Sequence, residues 1–166
     1  MAEFLQDVHG QAGRIAALLR ARGETIAIAD GATGGLVTAA LLTVPGALDF
    51  FIGGGVVYSL RARDVLFDLP SEAYRGMRGA TEDYARLQAE SIANNFRADW
   101  GLAESGSAGG GSRHPTGAAP GRSCAAMVGP DGSWATTLVT GKEDRIANMH
   151  RFAHAALDHC ETVLRG

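Results

Sequence analysis

Lysine is almost missing from this chain: Lys142 stands alone, and arginine supplies the other fourteen of the 15 basic side chains. A hydrolytic site that needs an amine to take a proton has one residue to draw on, because arginine stays protonated at any working pH. Basic charge is also not gathered anywhere. With a formal net charge of −3 and no block of Lys/Arg interleaved with aromatics, the chain lacks the face a nucleic acid would require. The longest apolar stretches, such as residues 36–44, fall well short of the ~20 residues that span a bilayer. The first eight residues carry Glu3 and Asp7 where a secretory leader would be basic and then apolar. A cytoplasmic location, with neither membrane nor nucleic acid as partner, is the expectation. Cysteine is limited to Cys124 and Cys160, without metal-type spacing, so both are expected to be reduced structural thiols. Neither a Walker sequence nor G-x-G-x-x-G is present, which disfavours the usual modes of ATP and dinucleotide binding.

What remains is an ordinary globular composition, 46% hydrophobic and 20% charged over 166 residues, long enough for one domain over residues 1–166 with a full core. Apolar residues at helical spacing predict a first helix over residues 3–22, stopped by Gly23. The run Thr25-Ile26-Ala27-Ile28-Ala29 reads as a buried strand, and after the glycines of Gly31-Ala32-Thr33-Gly34-Gly35 a helix follows over residues 36–42. Residues 50–58 read as a strand whose Gly53-Gly54-Gly55 implies a bulge or the close approach of another backbone. Thr81 caps a helix reaching Phe96, with Glu82 and Asp83 in its first turn. A short strand over 100–105 runs into a long Gly/Ser/Pro loop over 106–121. Strands at 123–128 and 134–139 flank Gly129-Pro130-Asp131-Gly132, a hairpin signal, and a last helix covers 143–164. The order predicts an α/β sandwich with a mixed sheet.

Glycine-rich segments at Gly31 to Gly35, Gly53 to Gly55 and Gly106 to Gly111 all follow or end predicted strands. In α/β folds, ligands bind at the carboxyl ends of strands, where glycine lets backbone amides close on a phosphate. Each loop could equally serve as a tight turn, but three together point to an anionic ligand. Ser105, at a strand end, is placed for a nucleophile or a substrate-orienting hydroxyl, or simply bonds its own loop. Tyr58 and Arg63 offer a phenol and a guanidinium to an anion, or a half-buried ring and a surface charge. His150, His154 and Asp158 share one helix face at metal-ligand spacing, without the glutamate of H-E-x-x-H.

These segments together resemble the CinA C-terminal family, whose members include the nicotinamide mononucleotide amidohydrolases. The resemblance covers nearly the whole chain. The family's A-E-S-C-T-G-G segment reads here Ala29-Asp30-Gly31-Ala32-Thr33-Gly34-Gly35, its P-G-S-S reads Pro45-Gly46-Ala47-Leu48, and its G-V-V-T-Y-S-N-E-A-K is similar to Gly55-Val56-Val57-Tyr58-Ser59-Leu60-Arg61-Ala62-Arg63. Glu104-Ser105-Gly106-Ser107-Ala108-Gly109 resembles its T/S-G-x-A-G-P loop, and the helix beginning near Asp144 and Arg145 resembles its final helix. The resemblance implies a three-layer α/β/α fold, self-association as a homodimer or larger homo-oligomer, and hydrolysis of the nicotinamide mononucleotide carboxamide to acid and ammonia, with no cofactor. The departures fall on the chemistry. Gly31 replaces the family's first serine, Ala47 and Leu48 replace the pair after Pro-Gly, and Arg63 replaces the lysine. The expectation is a homologue that binds a nucleotide or phosphate through Asp30, Gly31, Thr33, Gly34, Gly35, Arg63, Gly106, Gly109 and Arg145, with weak or altered activity. The alternatives are an active amidohydrolase using Tyr58 with Ser59 or Ser105 as a displaced nucleophile, and a non-catalytic interaction protein.

Overall fold

The computed structural model describes residues 1–67, 69–109 and 117–166. Five strands, β1 (Ile26–Asp30), β2 (Phe51–Val56), β3 (Trp100–Ser107), β4 (Arg122–Gly129) and β5 (Gly132–Val139), form one sheet in the order β2-β1-β3-β4-β5. The first three are mutually parallel, and β4 and β5 run antiparallel as a hairpin. The helices are α1 (Ala2–Arg22), α2 (Leu36–Leu42), α3 (Leu60–Phe67), α4 (Glu82–Phe96) and α5 (Arg145–Arg165). This is the expected α/β sandwich with a mixed sheet.

Side-chain alternation along each strand builds the layers. Ile26 and Ile28 of β1, Trp100 and Leu102 of β3, and Ala125 and Met127 of β4 pack against α1, α2 and α5. The intervening Ala27, Ala29, Ala103, Cys124 and Ala126 pack against α4, Phe67 and Tyr74. Large residues therefore line one face of the sheet and small ones the other, which lets α4 lie close. At Gly101 a Cβ would come within 1.9 Å of the Ala89 carbonyl. Each fully buried large side chain on the α1/α5 face, Trp100 or Ile28 for instance, contributes roughly 1.5–3 kcal/mol. Cys124 and Cys160 are both buried and free, and they belong to cores on opposite faces, so the sheet itself keeps them apart.

Three local expectations change. The helix α3 and the 3-10 turns at Ala47–Asp49 and Ser71–Tyr74 were not predicted. In α3 only Phe67 is buried while Leu60, Val65 and Leu66 are exposed, so no apolar stripe announces a helix. Strand β3 runs two residues past Ser105, because Gly106 and Ser107 find antiparallel partners in Ser123 and Arg122 whatever their own propensity. Gly53, Gly54 and Gly55 lie inside β2 and form no loop. The register shifts between Ile26 and Ala27, passing over Ile52, which is the expected bulge. A Cβ on Gly54 would meet the Ile28 carbonyl at 2.1 Å, and one on Gly53 the Phe96 ring at 2.5 Å, so close approach accounts for both glycines.

Candidate ligand-binding site

The turn between β1 and α2 is built around Asp30. The side chain is fully buried, and Thr33 Oγ1 (2.7 Å), Val37 N (3.1 Å), Thr38 N (3.1 Å) and Thr38 Oγ1 (2.6 Å) all donate to it. Asp30 thus satisfies two of the unpaired N–H groups of the first turn of α2 and ties Thr33 back to the strand. Gly34 and Gly35 then adopt φ of +65° and +96°, the left-handed region open to glycine. Gly34 is the exposed tip, and a Cβ there would touch Met149 of α5 at 3.0 Å.

Glu104 is the residue that sequence reasoning passed over. It continues the Trp100, Leu102 row of β3 as Asp30 continues the Ile26, Ile28 row of β1, and the paired registers Ile26–Trp100 and Ile28–Leu102 bring the two carboxyls to one face. Glu104 is 1% exposed. Its Oε2 accepts from Thr33 N at 3.0 Å and lies 3.2 Å from Thr33 Oγ1, while Ser123 Oγ lies 2.5 Å from Oε1. Burial pushes this carboxyl up to about 7, and the charge of Asp30 acts in the same direction. The hydrogen bonds from Ser123 and Thr33 oppose the rise without cancelling it. An acid at an even position in a strand whose other even side chains are Trp and Leu was the available signal.

Gly31 lies directly against this group. A Cβ at position 31 would stand 2.3 Å from the Glu104 backbone oxygen and 3.3 Å from Oε2, so the backbone of β3 occupies the space a serine there would need. Gly106 faces the same carboxyl, with Oε1 2.5 Å from its own would-be Cβ. Positions 47 and 48 sit elsewhere. Their 3-10 turn is held by Arg20 bonding the Pro45 and Gly46 carbonyls, beside Phe50, whose carbonyl receives Ile26 N at the start of β1. That is the opposite end of the strand from Gly31.

The rim of the turn comes from the segment after β2, the segment after β3, and α5. Tyr58, 66% exposed, accepts a hydrogen bond from the Arg145 guanidinium at 2.7 Å, and Arg145 also donates to the Gly109 carbonyl at 2.6 Å. Asn148, one turn along α5, donates to the Ala108 and Lys142 carbonyls and meets Thr140 Oγ1 at 2.7 Å. Asp144 caps the helix through Ala147 N at 3.1 Å. Arg145 and Met149 lie four residues apart on one face of α5, so this face spans from Tyr58 to Gly34. Arg145 has five N–H donors, and two serve described residues, leaving a positive, donor-rich edge.

The other candidates are committed elsewhere. Ser59 Oγ accepts from Ala62 N at 3.0 Å, capping α3. Ser105 points to the opposite face of β3 from Glu104 and accepts from Ala80 N at 3.0 Å. It thereby anchors Ala80, a left-handed non-glycine residue whose carbonyl also receives Arg122 and Cys124. Among the described residues neither hydroxyl is paired with a base. Arg63 bonds Asp64 at 2.8 Å and lies 3.7 Å over the Tyr74 ring, which draws it toward the α4 side. The geometry brings together Asp30, Gly31, Thr33, Gly34, Gly35, Tyr58, Gly109 and Arg145, and leaves Ser59, Ser105 and Arg63 outside this group. His150 and His154 both pack on the Phe4 ring of α1, His154 pairs with Asp7 at 3.2 Å, and Asp158 accepts from Gln11. Each is engaged separately with α1. Gly110 and Gly111 of the third glycine segment, with the rest of the predicted loop through 116, lie outside the described residues. An open groove of about 690 Å³ between α4 and the β4–β5 turn, bordered by Met77, Arg86, Leu87 and Asp131, lies at the other end of the sheet from this site.

Among the described residues no helix is long and apolar enough to cross a membrane. The family model of the CinA C-terminal domain matches residues 9–164. A CinA-like protein of Prochlorococcus marinus (strain MIT 9313) is 34% identical over 151 residues, covering 89% of this chain and 34% of its own length. A CinA-like protein of Anaeromyxobacter sp. (strain Fw109-5) is also 34% identical, covering 83% of this chain and 34% of its own length. The chain spans about a third of the length of these curated relatives. A solved competence-damaged protein (CinA) superfamily protein from Enterobacter cloacae matches with a TM-score of 0.85 at 25% identity, over 95% of this chain and 92% of the other. The competence/damage inducible protein CihA from Agrobacterium tumefaciens matches with 0.84 at 23% identity over 96% of each chain, a likeness of fold.

Proposed function

Because this chain belongs to the CinA C-terminal domain family, we propose that it binds a small phosphate-bearing, nucleotide-like molecule at the turn carrying Gly34 and Gly35 without hydrolysing it. The observation that carries this reading is the Arg145 bridge. A guanidinium joins an exposed phenol, Tyr58, to the Gly109 carbonyl along the rim of an exposed glycine turn. Guanidinium, phenol and glycine amides are donors suited to a phosphate.

The groups that hydrolysis of a carboxamide requires point the other way. Amide hydrolysis by a hydroxyl needs a nucleophile, a base within hydrogen-bond reach and donors for the oxyanion. Position 31 has no room for a hydroxyl side chain, Ser59 and Ser105 serve as acceptors of backbone N–H groups, and Arg63 cannot take a proton. The protein is therefore assigned retention without turnover. Calorimetry with nicotinamide mononucleotide as the probe is expected to give saturable binding that Arg145→Ala weakens severalfold, with no ammonia above the blank. No heat at millimolar probe sinks the binding reading, and ammonia release from the wild-type protein sinks the assignment as non-hydrolytic.

Self-association belongs to the same proposal. Strand β2 is an edge of the sheet, and Ile52 and Val56, at positions of the same parity on β2, are exposed, an apolar strip suited to a second copy of the chain. Light scattering at micromolar concentration is expected to give at least twice the mass of 17.2 kDa.

A further inference from the structure

Asp30 and Glu104 are two buried carboxyls separated by one hydroxyl. Thr33 Oγ1 lies 2.7 Å from Asp30 Oδ1 and 3.2 Å from Glu104 Oε2, yet it carries a single hydrogen. All four described contacts of Asp30 are N–H or O–H donors, so the Thr33 hydrogen is one Asp30 uses. An ionised Glu104 then turns Oε2 toward a lone pair of Thr33 Oγ1, oxygen against oxygen, in a place sealed from water. A protonated Glu104 removes the conflict, since its own hydrogen goes to Thr33 Oγ1 and the Thr33 hydrogen goes on to Asp30. Asp30 on β1 is the titratable group that faces Glu104. Thr33 from the turn and Ser123 from β4 are neutral, and among the described residues no Lys, Arg or His forms an ion pair with either carboxyl.

We propose that Glu104 is the proton-holding positioning residue of this turn: its acid hydrogen locks Thr33 to Asp30, and loss of that hydrogen loosens the turn and weakens the binding of an anionic ligand at Gly34 and Gly35. The coupling to a ligand rests on the binding reading given above; the placement of the proton does not. Two effects act in the same direction. Ionisation places a second buried negative charge one residue from the anion's seat, and it also weakens the hydroxyl chain that fixes Thr33 next to Gly34. Glutamine at 104 is the informative replacement, because its carbonyl at the Oε2 position still accepts from Thr33 N, its NH2 at the Oε1 position faces Ser123 Oγ, and it carries no charge at any pH. Alanine supplies neither the carbonyl nor the NH2.

The test has two arms. In protein labelled with ¹³C at the glutamate carboxyl carbons, the signal absent from Glu104→Gln is expected to stay in the protonated position at pH 6 and to move between pH 6 and pH 8. A signal already in the carboxylate position at pH 6 overturns the proposal. In the second arm, affinity for nicotinamide mononucleotide is measured from pH 6 to pH 8.5 in wild type, Glu104→Gln and Glu104→Ala. The wild type is expected to lose affinity severalfold relative to Glu104→Gln as pH rises, while Glu104→Ala binds weakly throughout. Parallel profiles for wild type and Glu104→Gln overturn the coupling while the binding reading stands. No binding by any variant at any pH overturns both the binding reading and the coupling, and the carbon signal then decides the placement of the proton by itself.

Discussion

Replacing Gly31 by serine would restore by sequence the hydroxyl that the resemblance to the amidohydrolases puts there. The structure predicts that this repair damages the fold instead. The added Cβ would stand 2.3 Å from the Glu104 carbonyl oxygen and 3.2 Å from its carbon, so about 1 Å of movement is needed to reach ordinary contact. The obstacle is backbone. β1 and β3 are paired neighbours through Ala29 and Ala103, immediately before the clash, and parallel strands sit only about 4.8 Å apart. Overpacking of this kind costs about 1–3 kcal/mol, and one disrupted ladder hydrogen bond adds about 1 kcal/mol. A total of about 2–4 kcal/mol lowers Tm by on the order of 5–15 °C in a chain of this size. Thermal unfolding followed by circular dichroism measures it directly. Gly31→Ala is expected to fall nearly as far, because the Cβ and not the hydroxyl meets the carbonyl, and Gly31→Ser is expected to release no ammonia from nicotinamide mononucleotide. A serine variant that melts with the wild type would refute the steric argument.

Glu104 lies above its ordinary value of 4.5, at about 7, so between those two values the folded protein keeps a proton that the unfolded chain has released. The stability this group contributes is complete below about pH 4.5 and is lost as pH rises through 7, by at most about 3 kcal/mol. Urea unfolding from pH 4.5 to pH 8 is expected to show wild type losing ground to Glu104→Gln, and superimposable profiles would contradict the assignment. Glu161 behaves oppositely: hydrogen bonds from Arg14 of α1, against a smaller effect of burial, and then from Arg165 hold it down at about 2. Its contribution is present above its ordinary range and is lost as pH falls through 2. Glu161→Gln should cost about 1 kcal/mol at pH 7 by urea unfolding, with the difference fading toward pH 2. Gly34→Ala places a Cβ in a left-handed conformation against Met149, which should cost about 1–2 kcal/mol and weaken nicotinamide mononucleotide binding; an unchanged Kd by calorimetry would show that the turn does not hold the ligand.

Much of the architecture was readable from local pattern. Thr81 Oγ1 caps its helix by accepting from Tyr84 N at 3.4 Å as expected, the Gly129 to Gly132 segment makes the hairpin turn, and the apolar run before Asp30 is fully buried. These features depend on a few neighbouring residues, and so they survive in a sequence read alone. The glycines of β2 were harder, because their reason lies in Ile28 and Phe96, far along the chain. Asp30 was legible as part of the site but not as the group that seals its four donors into the turn. Glu104 was hidden for a related reason. Its parity with Trp100 and Leu102 can be counted, but that parity acquires meaning only when β1 aligns beside β3 and brings Asp30 alongside. Ser59, Ser105 and Arg63 stood out by their place in the chain, but Ser59 caps its own helix through Ala62 N, and tertiary contacts give Ser105 and Arg63 other partners.

The contact between Tyr58 and Arg145 joins residues 87 positions apart, and its last component is supplied by the final helix. At a synthesis rate of roughly 5–20 residues per second, the phenol leaves the ribosome about 4–17 seconds before the guanidinium that holds it. The glycine turn, Asp30 and Glu104 are all made earlier, so a nascent chain displays a floor without a rim. Any ligand that depends on Arg145 is then invisible to the growing polypeptide and can be captured only after α5 docks. Occupancy of the site would thus report that α5 has docked, and a ligand of this kind would stabilise chains with α5 in place without trapping those that lack it.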